Sequence, residues 1–166
     1  MEFKEFVKEI IGKSGDLIVV IKGKEKRIKG MARFTSENLY PDEYIKIVFD
    51  DHSHMVVSLP DEVLFYADRV VGLVEEVKDD EIGVSGELMY GNKSFELDNS
   101  DDYQFCLQVY KGKAGTDIEG EVKFSDYLFE ETGKTEMLSL GWTVCDGKRA
   151  DVWVEKIGID EVEVVE

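Results

Sequence analysis

The sequence predicts an all-β fold, mainly an antiparallel β-meander or barrel, with one short N-terminal α-helix. Three observations predict it. Short apolar runs rich in β-branched residues recur with period two. Turn residues punctuate them roughly every 8–12 positions, with only two prolines in 166 residues. Beyond the first dozen residues there is no strand–helix alternation of the kind that builds a parallel sheet.

The helix is placed first, within residues 1–14. Phe3, Phe6, Val7, Ile10 and Ile11 fall at helical spacing with Lys and Glu between them. Gly12 and Gly15 supply the stop. Its polar face mixes both charges, so packing on the body is expected rather than a membrane-surface role.

From Gly15 the period changes. Asp16 to Ile21 is an apolar strand, Lys22–Lys26 a turn, and Arg27 to Phe34 a second strand broken by Gly30. Tyr44 to Phe49 alternates well and turns at Asp50-Asp51-His52-Ser53. His54 to Leu59 returns as its hairpin partner, stopped by Pro60-Asp61. Further strands are expected at 63–66, 70–77, 82–90 and 94–97, with Gly91-Asn92 as a tight turn. The last ones fall at 103–110, 118–129, 137–145, 151–157 and 162–165, with a turn at Asp146-Gly147.

An internal repeat suggests how the strands are grouped. Ile28 to Thr35 resembles Ile118 to Ser125, each after a Lys-Gly-Lys. In a competing register Glu43-Tyr44-Ile45 matches Asp126-Tyr127-Leu128. The expectation is two related β-meanders or half-barrels, 15–78 and 80–166. No linker separates them, so they are expected to form one compact structural unit.

Charge and composition exclude whole classes of function. Acidic residues number 37 against 20 basic, a net charge of −17. A net anion repels phosphate, so nucleic-acid binding is not expected. No run reaches the roughly 18 apolar residues of a membrane span, and residues 1–4 do not begin a secretory signal. Cys106 and Cys145 have no C-x-x-C spacing and read as reduced thiols of a cytoplasmic protein. Lys22 to Lys29 is a basic island, five positive charges against one negative. It suits acidic surface on this chain or a second copy, so self-association is open.

One cluster resembles metal chemistry. On an extended strand Asp50, His52 and His54 share a face, and two imidazoles with a carboxylate suit zinc. The competing reading is a polar turn in which Asp side chains bond their own backbone. Asp98-Asn99-Ser100-Asp101-Asp102 has alternating oxygen ligands but lacks the glycine and distal glutamate of a calcium loop, so a solvated loop is expected. The strand aromatics, among them Tyr40, Tyr44, Phe65, Tyr66, Tyr90, Tyr103, Tyr110, Tyr127, Trp142 and Trp153, either fill the core or make a binding patch. No nucleophile elbow, P-loop, dinucleotide fingerprint or H-E-x-x-H is present.

Several short segments occur in a suggestive order: Gly30-x-x-x-Phe34, Glu43-Tyr44-Ile45, Phe124-Ser125-Asp126-Tyr127, Leu138-Ser139-Leu140-Gly141-Trp142, Asp146-Gly147 and Asp151-Val152-Trp153-Val154-Glu155. This series resembles the bacterial domain-of-unknown-function family numbered 4178, across most of residues 15–165. One departure is Tyr40-Pro41-Asp42, where members often carry a Trp before the Glu-Tyr. The resemblance implies a β-rich, non-catalytic domain in envelope- or membrane-stress-type gene settings, and carries over no functional residue.

The expected function is a non-enzymatic, soluble interaction module for a protein partner, basic or membrane-associated, with no cofactor. The alternatives are a small-ligand or metal-binding barrel using the Asp50–His54 turn, and a hydrolase with no nameable residues.

Overall fold

A computed structural model describes residues 2–12, 17–35, 43–51, 53–59, 61–73, 76–98, 104–112, 118–131, 133–143 and 149–165. It is mostly antiparallel β-sheet with one short helix. The elements are α1 (Phe3–Gly12), β1 (Ile18–Ile21), β2 (Lys24–Thr35), β3 (Glu43–Phe49), β4 (His54–Ser58), β5 (Val63–Val71) and β6 (Glu87–Tyr90). They continue with β7 (Lys93–Leu97), β8 (Gln104–Gly112), β9 (Ile118–Glu131), β10 (Lys134–Thr143), β11 (Arg149–Ile157) and β12 (Val162–Val165). No helix among the described residues is long and apolar enough to cross a membrane.

The chain divides into two compact units. Unit 1 holds Met1–Tyr66, Gln108–Glu119 and Ile157–Glu166, and unit 2 holds Ala67–Leu107 and Gly120–Lys156. The expected division at 78/80 cuts the chain elsewhere. The physical reason is that β5, β8 and β9 are long strands that each run from one unit into the other, and β12 returns to pair with β1. Sequence composition marks no such crossing.

In unit 1 the strand order is β12-β1-β2-β3-β4-β5. The β1–β2 turn is tighter than expected, just Lys22 (φ 52°) and Gly23 (φ 79°) between the paired Ile21 and Lys24. Along β2, Lys26, Ile28, Gly30, Ala32 and Phe34 are buried while Lys24, Arg27 and Arg33 are exposed. A bulge between Ile28 and Gly30 shifts the pairing with β3. Phe6 and Ile10, each 1% exposed, seat α1 on a core of Val19, Ile21, Ile47, Phe49, Met55 and Leu64. Amphipathic spacing makes this helix, and core burial holds it, since ten residues are too few to be stable alone.

In unit 2 the order runs from β5 through β11, β10, β9 and β7 to β6. Its core gathers Val71, Leu73, Val77, Ile82, Leu88, Phe95, Tyr127, Leu138 and Leu140. The strand order ends at β12 in one unit and at β6 in the other, and β8 lies off this order, pairing with β2 and with β9; the mainly antiparallel all-β expectation is met.

Two stretches differ from the sequence expectation. Strands were expected at 63–66 and 70–77, but β5 is one strand, Val63–Val71. After it, the described residues between Gly72 and Gly86 form turns rather than strand. Val77 N–H donates to Leu73 O (2.8 Å), and Val84 and Ser85 N–H donate to Glu81 O. The apolar residues that suggested strand, Val77 and Ile82, are buried as anchors of this turn. The second difference is β10, which starts at Lys134 because Gly133 (φ 79°) closes a tight turn from β9.

The repeat finds no common arrangement. Its first members lie on separate strands, β2 and β3, whereas the matching 118–125 and 126–128 are consecutive on β9. That is why the two sequence registers disagree.

Candidate functional site

The sequence pointed to the β3–β4 turn. Phe49 N–H donates to Ser53 O (2.9 Å), closing it as a hairpin. Asp50 is exposed, His54 is buried at 8% exposure, and His52 lies outside the described residues. Burial, and then the nearby Lys46 charge, hold the His54 imidazole well below its ordinary pKa, so it is neutral at pH 7. Among the described residues no group of three or more His, Cys, Asp and Glu side chains converges as a metal site would need.

The carboxylate that organises this turn is Asp51. It accepts from Ser53 N–H (3.0 Å) and from Ser53 Oγ, and it ion-pairs with Lys26 of β2. Burial opposes its charge, but Lys26 and the Ser53 donors overcome that and lower its pKa to about 2. Lys26 is 8% exposed, with its ammonium 5.7 Å from the Tyr66 ring centroid. The basic island is therefore split. Lys26 points inward to this clamp, while Lys22, Lys24 and Arg27 face solvent.

Unit 2 has a deeper clamp. Arg149 Nε donates to Asp151 Oδ1 (3.0 Å), and its Nη1 donates to Val77 O (2.7 Å) and Asp79 Oδ1 (2.9 Å). Asp151 Oδ2 accepts from Leu73 N–H at 3.3 Å. Tyr127, fully buried, accepts from Gly83 N–H and donates to Ser85 O (2.8 Å). These bonds pin the turn that precedes β6. Asp126 lies beside Ser139, and its Oδ1 is buried without a hydrogen-bond partner. Burial, with Asp98 adding repulsion, lifts its pKa to about 6. The Arg149–Asp151 and Tyr127 bonds support the fold, whereas the Asp126 carboxyl is a buried group only partly satisfied.

A shallow apolar seam in unit 1, with no room for a water molecule, is lined by Phe6, Val7, Ile10, Ile45, Ile47 and Val57. All six are hydrocarbon side chains of the α1–sheet contact, so the seam has no polar group with which to orient a ligand.

The surface of unit 2 differs. By sequence unit 2 as a whole carries 19 acidic and 8 basic residues, a net −11, against 18 and 12, a net −6, in unit 1. The large apolar side chains most exposed among the described residues are Val84 (70%) and Met89 (58%), both in unit 2. None of the ten aromatics singled out in the sequence is exposed among the described residues: Tyr66 and Tyr127 are buried, and Tyr44, Phe65, Tyr90 and Trp153 half-buried. Tyr40 and Tyr103, the side chains of Tyr110 and Trp142, and residues 99–102 of the acidic loop lie outside the described residues.

The surface around β6 was missed in the sequence, although counting back from Gly91-Asn92 shows it. With φ of 58° and 63° these two residues make a two-residue turn. The register then follows: Tyr90↔Lys93, Met89↔Ser94, Leu88↔Phe95, Glu87↔Glu96. Two carboxylates face each other across the hairpin.

No family model matches this chain, and comparisons with curated proteins and with solved structures find no match.

Proposed function

We propose that this chain is a non-enzymatic protein-binding module that recruits a basic partner through the acidic surface of unit 2. The observation that carries the reading is the coincidence there of a net −11 charge with the exposed apolar side chains of Val84 and Met89. A strong negative field steers a cationic partner and speeds encounter. Exposed apolar side chains supply contact area once it has docked. A cytoplasmic setting belongs to the same reading, supported by two cysteines without C-x-x-C spacing.

The test is affinity capture with the full chain from its source organism, at about 50 mM and about 200 mM salt, read by mass spectrometry. The reading expects a reproducible basic protein whose recovery falls several-fold at the higher salt. Recovery of nothing at either salt, or only of partners indifferent to salt, overturns it.

A further inference from the structure

We propose that the outer edge of β6 is a docking site for an extended, Lys- or Arg-bearing segment of a partner protein, which joins the sheet as an added strand. This deepens the protein-binding reading above and rests on it.

The backbone comes first. β6 ends the strand order of unit 2, and among the described residues it pairs with β7 on one side only. Leu97 N–H donates to Gly86 O (2.9 Å), so Gly86 and Leu97 are a hydrogen-bonded pair. Antiparallel pairs alternate. Leu88↔Phe95 and Tyr90↔Lys93 are therefore hydrogen-bonded too, while Glu87↔Glu96 and Met89↔Ser94 are not. The N–H and C=O of Glu87 and Met89 thus point away from β7. A row of outward donors and acceptors at two-residue spacing is complementary to another extended backbone.

The side chains then choose the occupant. Leu88 is buried, while Glu87, Met89 and Glu96 are exposed. Glu87 and Glu96 are directly opposite at a non-hydrogen-bonded position, where side chains come closest and like charges destabilise the pair. Glu87 accepts a bond from Ser94 Oγ, but among the described residues no cation lies within ion-pair distance of either carboxylate. Lys93, the hairpin's own cation, is turned to Glu136 (2.8 Å) and lies 5.0 Å from the Phe129 ring centroid. A Lys or Arg on an added strand, cross-strand from Glu87, supplies the missing positive charge. Met89 offers apolar contact to the next residue on the same face. Edge-to-edge pairing with a second copy brings another Glu87 and another net −11 to the same edge, and that copy's exposed Lys24 and Arg27 lie on β2, already paired with β1 and β3, so a basic segment of another protein is the favoured occupant.

The probe is a synthetic nine-residue peptide alternating Lys with Val and Thr, labelled and titrated with the full chain by fluorescence anisotropy. Its matched control has Glu in place of Lys. The expected result is saturable binding of the Lys peptide that weakens several-fold from about 50 mM to about 300 mM salt, with no binding of the Glu peptide. On saturation, amide exchange slows at Glu87 and Met89. Met89→Pro removes an outward N–H that the β6–β7 ladder does not use, so the fold tolerates it. It is expected to weaken the peptide at least tenfold, and the double variant Glu87→Lys, Glu96→Lys to do the same with the backbone edge intact. Three results each overturn the proposal: no binding at millimolar peptide, unchanged binding by both variants, or concentration-dependent self-association of the wild type that Met89→Pro abolishes. If the cellular partner is still captured by Met89→Pro, the edge is wrong and the protein-binding reading stands. If nothing is captured by the wild type, the reading itself fails.

Discussion

The strand order ends in two four-residue acidic strands, β12 in unit 1 and β6 in unit 2, and they manage an open edge in opposite ways. In β12, Lys22 N–H donates to Glu161 O, which sets Val162 and Val164 as the residues whose backbone faces away from β1, and the Val162 N–H is itself taken by Ile159 O. Their side chains pack against the core of unit 1, and the side chain of Glu161 turns back to accept from Gly158 N–H (2.7 Å). In β6 the outward residues are Glu87 and Met89, with exposed side chains and an unrelieved like-charge pair. Both strands carry the charge that discourages sheet-to-sheet aggregation. Only β6 couples an open backbone edge to side chains that ask for a partner. An edge is therefore not a site by virtue of being open. The direction of the side chains beside the free amides decides.

The polar clamps of the two units differ in the same instructive way, and substitutions sharpen the contrast. The largest effect is expected in unit 2. Asp151→Ala leaves the Arg149 side chain, 9% exposed, without its buried carboxylate, a loss of about 3–5 kcal/mol. Chemical denaturation measures it, and native-state hydrogen exchange should place the loss first at residues 73–85. A loss under about 1 kcal/mol would mean that the clamp is worth no more than a surface pair.

The next expectation concerns the Asp126 carboxyl, raised to about 6. The folded form then holds its proton more tightly than the unfolded chain, whose carboxyl titrates near the ordinary 3.8. Stability from this group falls as pH rises from about 4 to about 6 and is level above that. Asp126→Asn should stabilise the protein at pH 7 by about 1–3 kcal/mol and have little effect at pH 4. Equal effects at both pH values would break the assignment.

Unit 1 should respond less. Asp51 is 49% exposed, so Asp51→Ala is expected to cost about 1–2 kcal/mol, from lost turn bonds and a stranded Lys26 rather than from a strong ion pair. The ionic part of that difference is present above pH 4 and fades as pH falls toward 2, because the folded pKa is depressed. His54 runs opposite to Asp126. Its pKa is lowered, so stability from it is full above pH 6.5 and is lost as pH falls below that value. His54→Gln should flatten that acid-side decline, read as the midpoint of denaturation at pH 5 against pH 7. The smallest stability change belongs to Met89→Lys, within about 0.5 kcal/mol, since the side chain is 58% exposed.

Much of the fold was legible in the sequence because local rules decided it. Phe6 and Ile10 at i, i+4 drew the helix, and alternation from Ile28 to Phe34 drew the buried face of β2. Gly91-Asn92 fixed both a turn and a register. The turns after Gly72 were not legible, since Val77 and Ile82 suit a strand equally well until Arg149, some 70 residues away, bonds Val77 O. The metal reading grouped Asp50, His52 and His54 by strict alternation; His52 lies outside the described residues, and the carboxylate that the turn presents to Lys26 is the neighbouring Asp51. Strand order is non-local, so which strands end the sheet had no signature in the sequence. The Glu87–Glu96 opposition did have one, by counting outward from the turn.

The measurement that bears most directly on the contrast is a pair of charge reversals with identical net charge. One variant carries Glu87→Lys and Glu96→Lys in unit 2. The other carries Glu25→Lys and Glu163→Lys, two exposed carboxylates that both register with Val20 in unit 1. Affinity for the captured partner, or for the Lys peptide, is measured for both at about 50 mM salt, where the Debye length still exceeds 10 Å. At least tenfold weaker binding is expected for the unit 2 variant and a change within about twofold for the unit 1 variant. Equal weakening by both would mean that overall charge alone attracts the partner and that the β6 edge has no special place in binding.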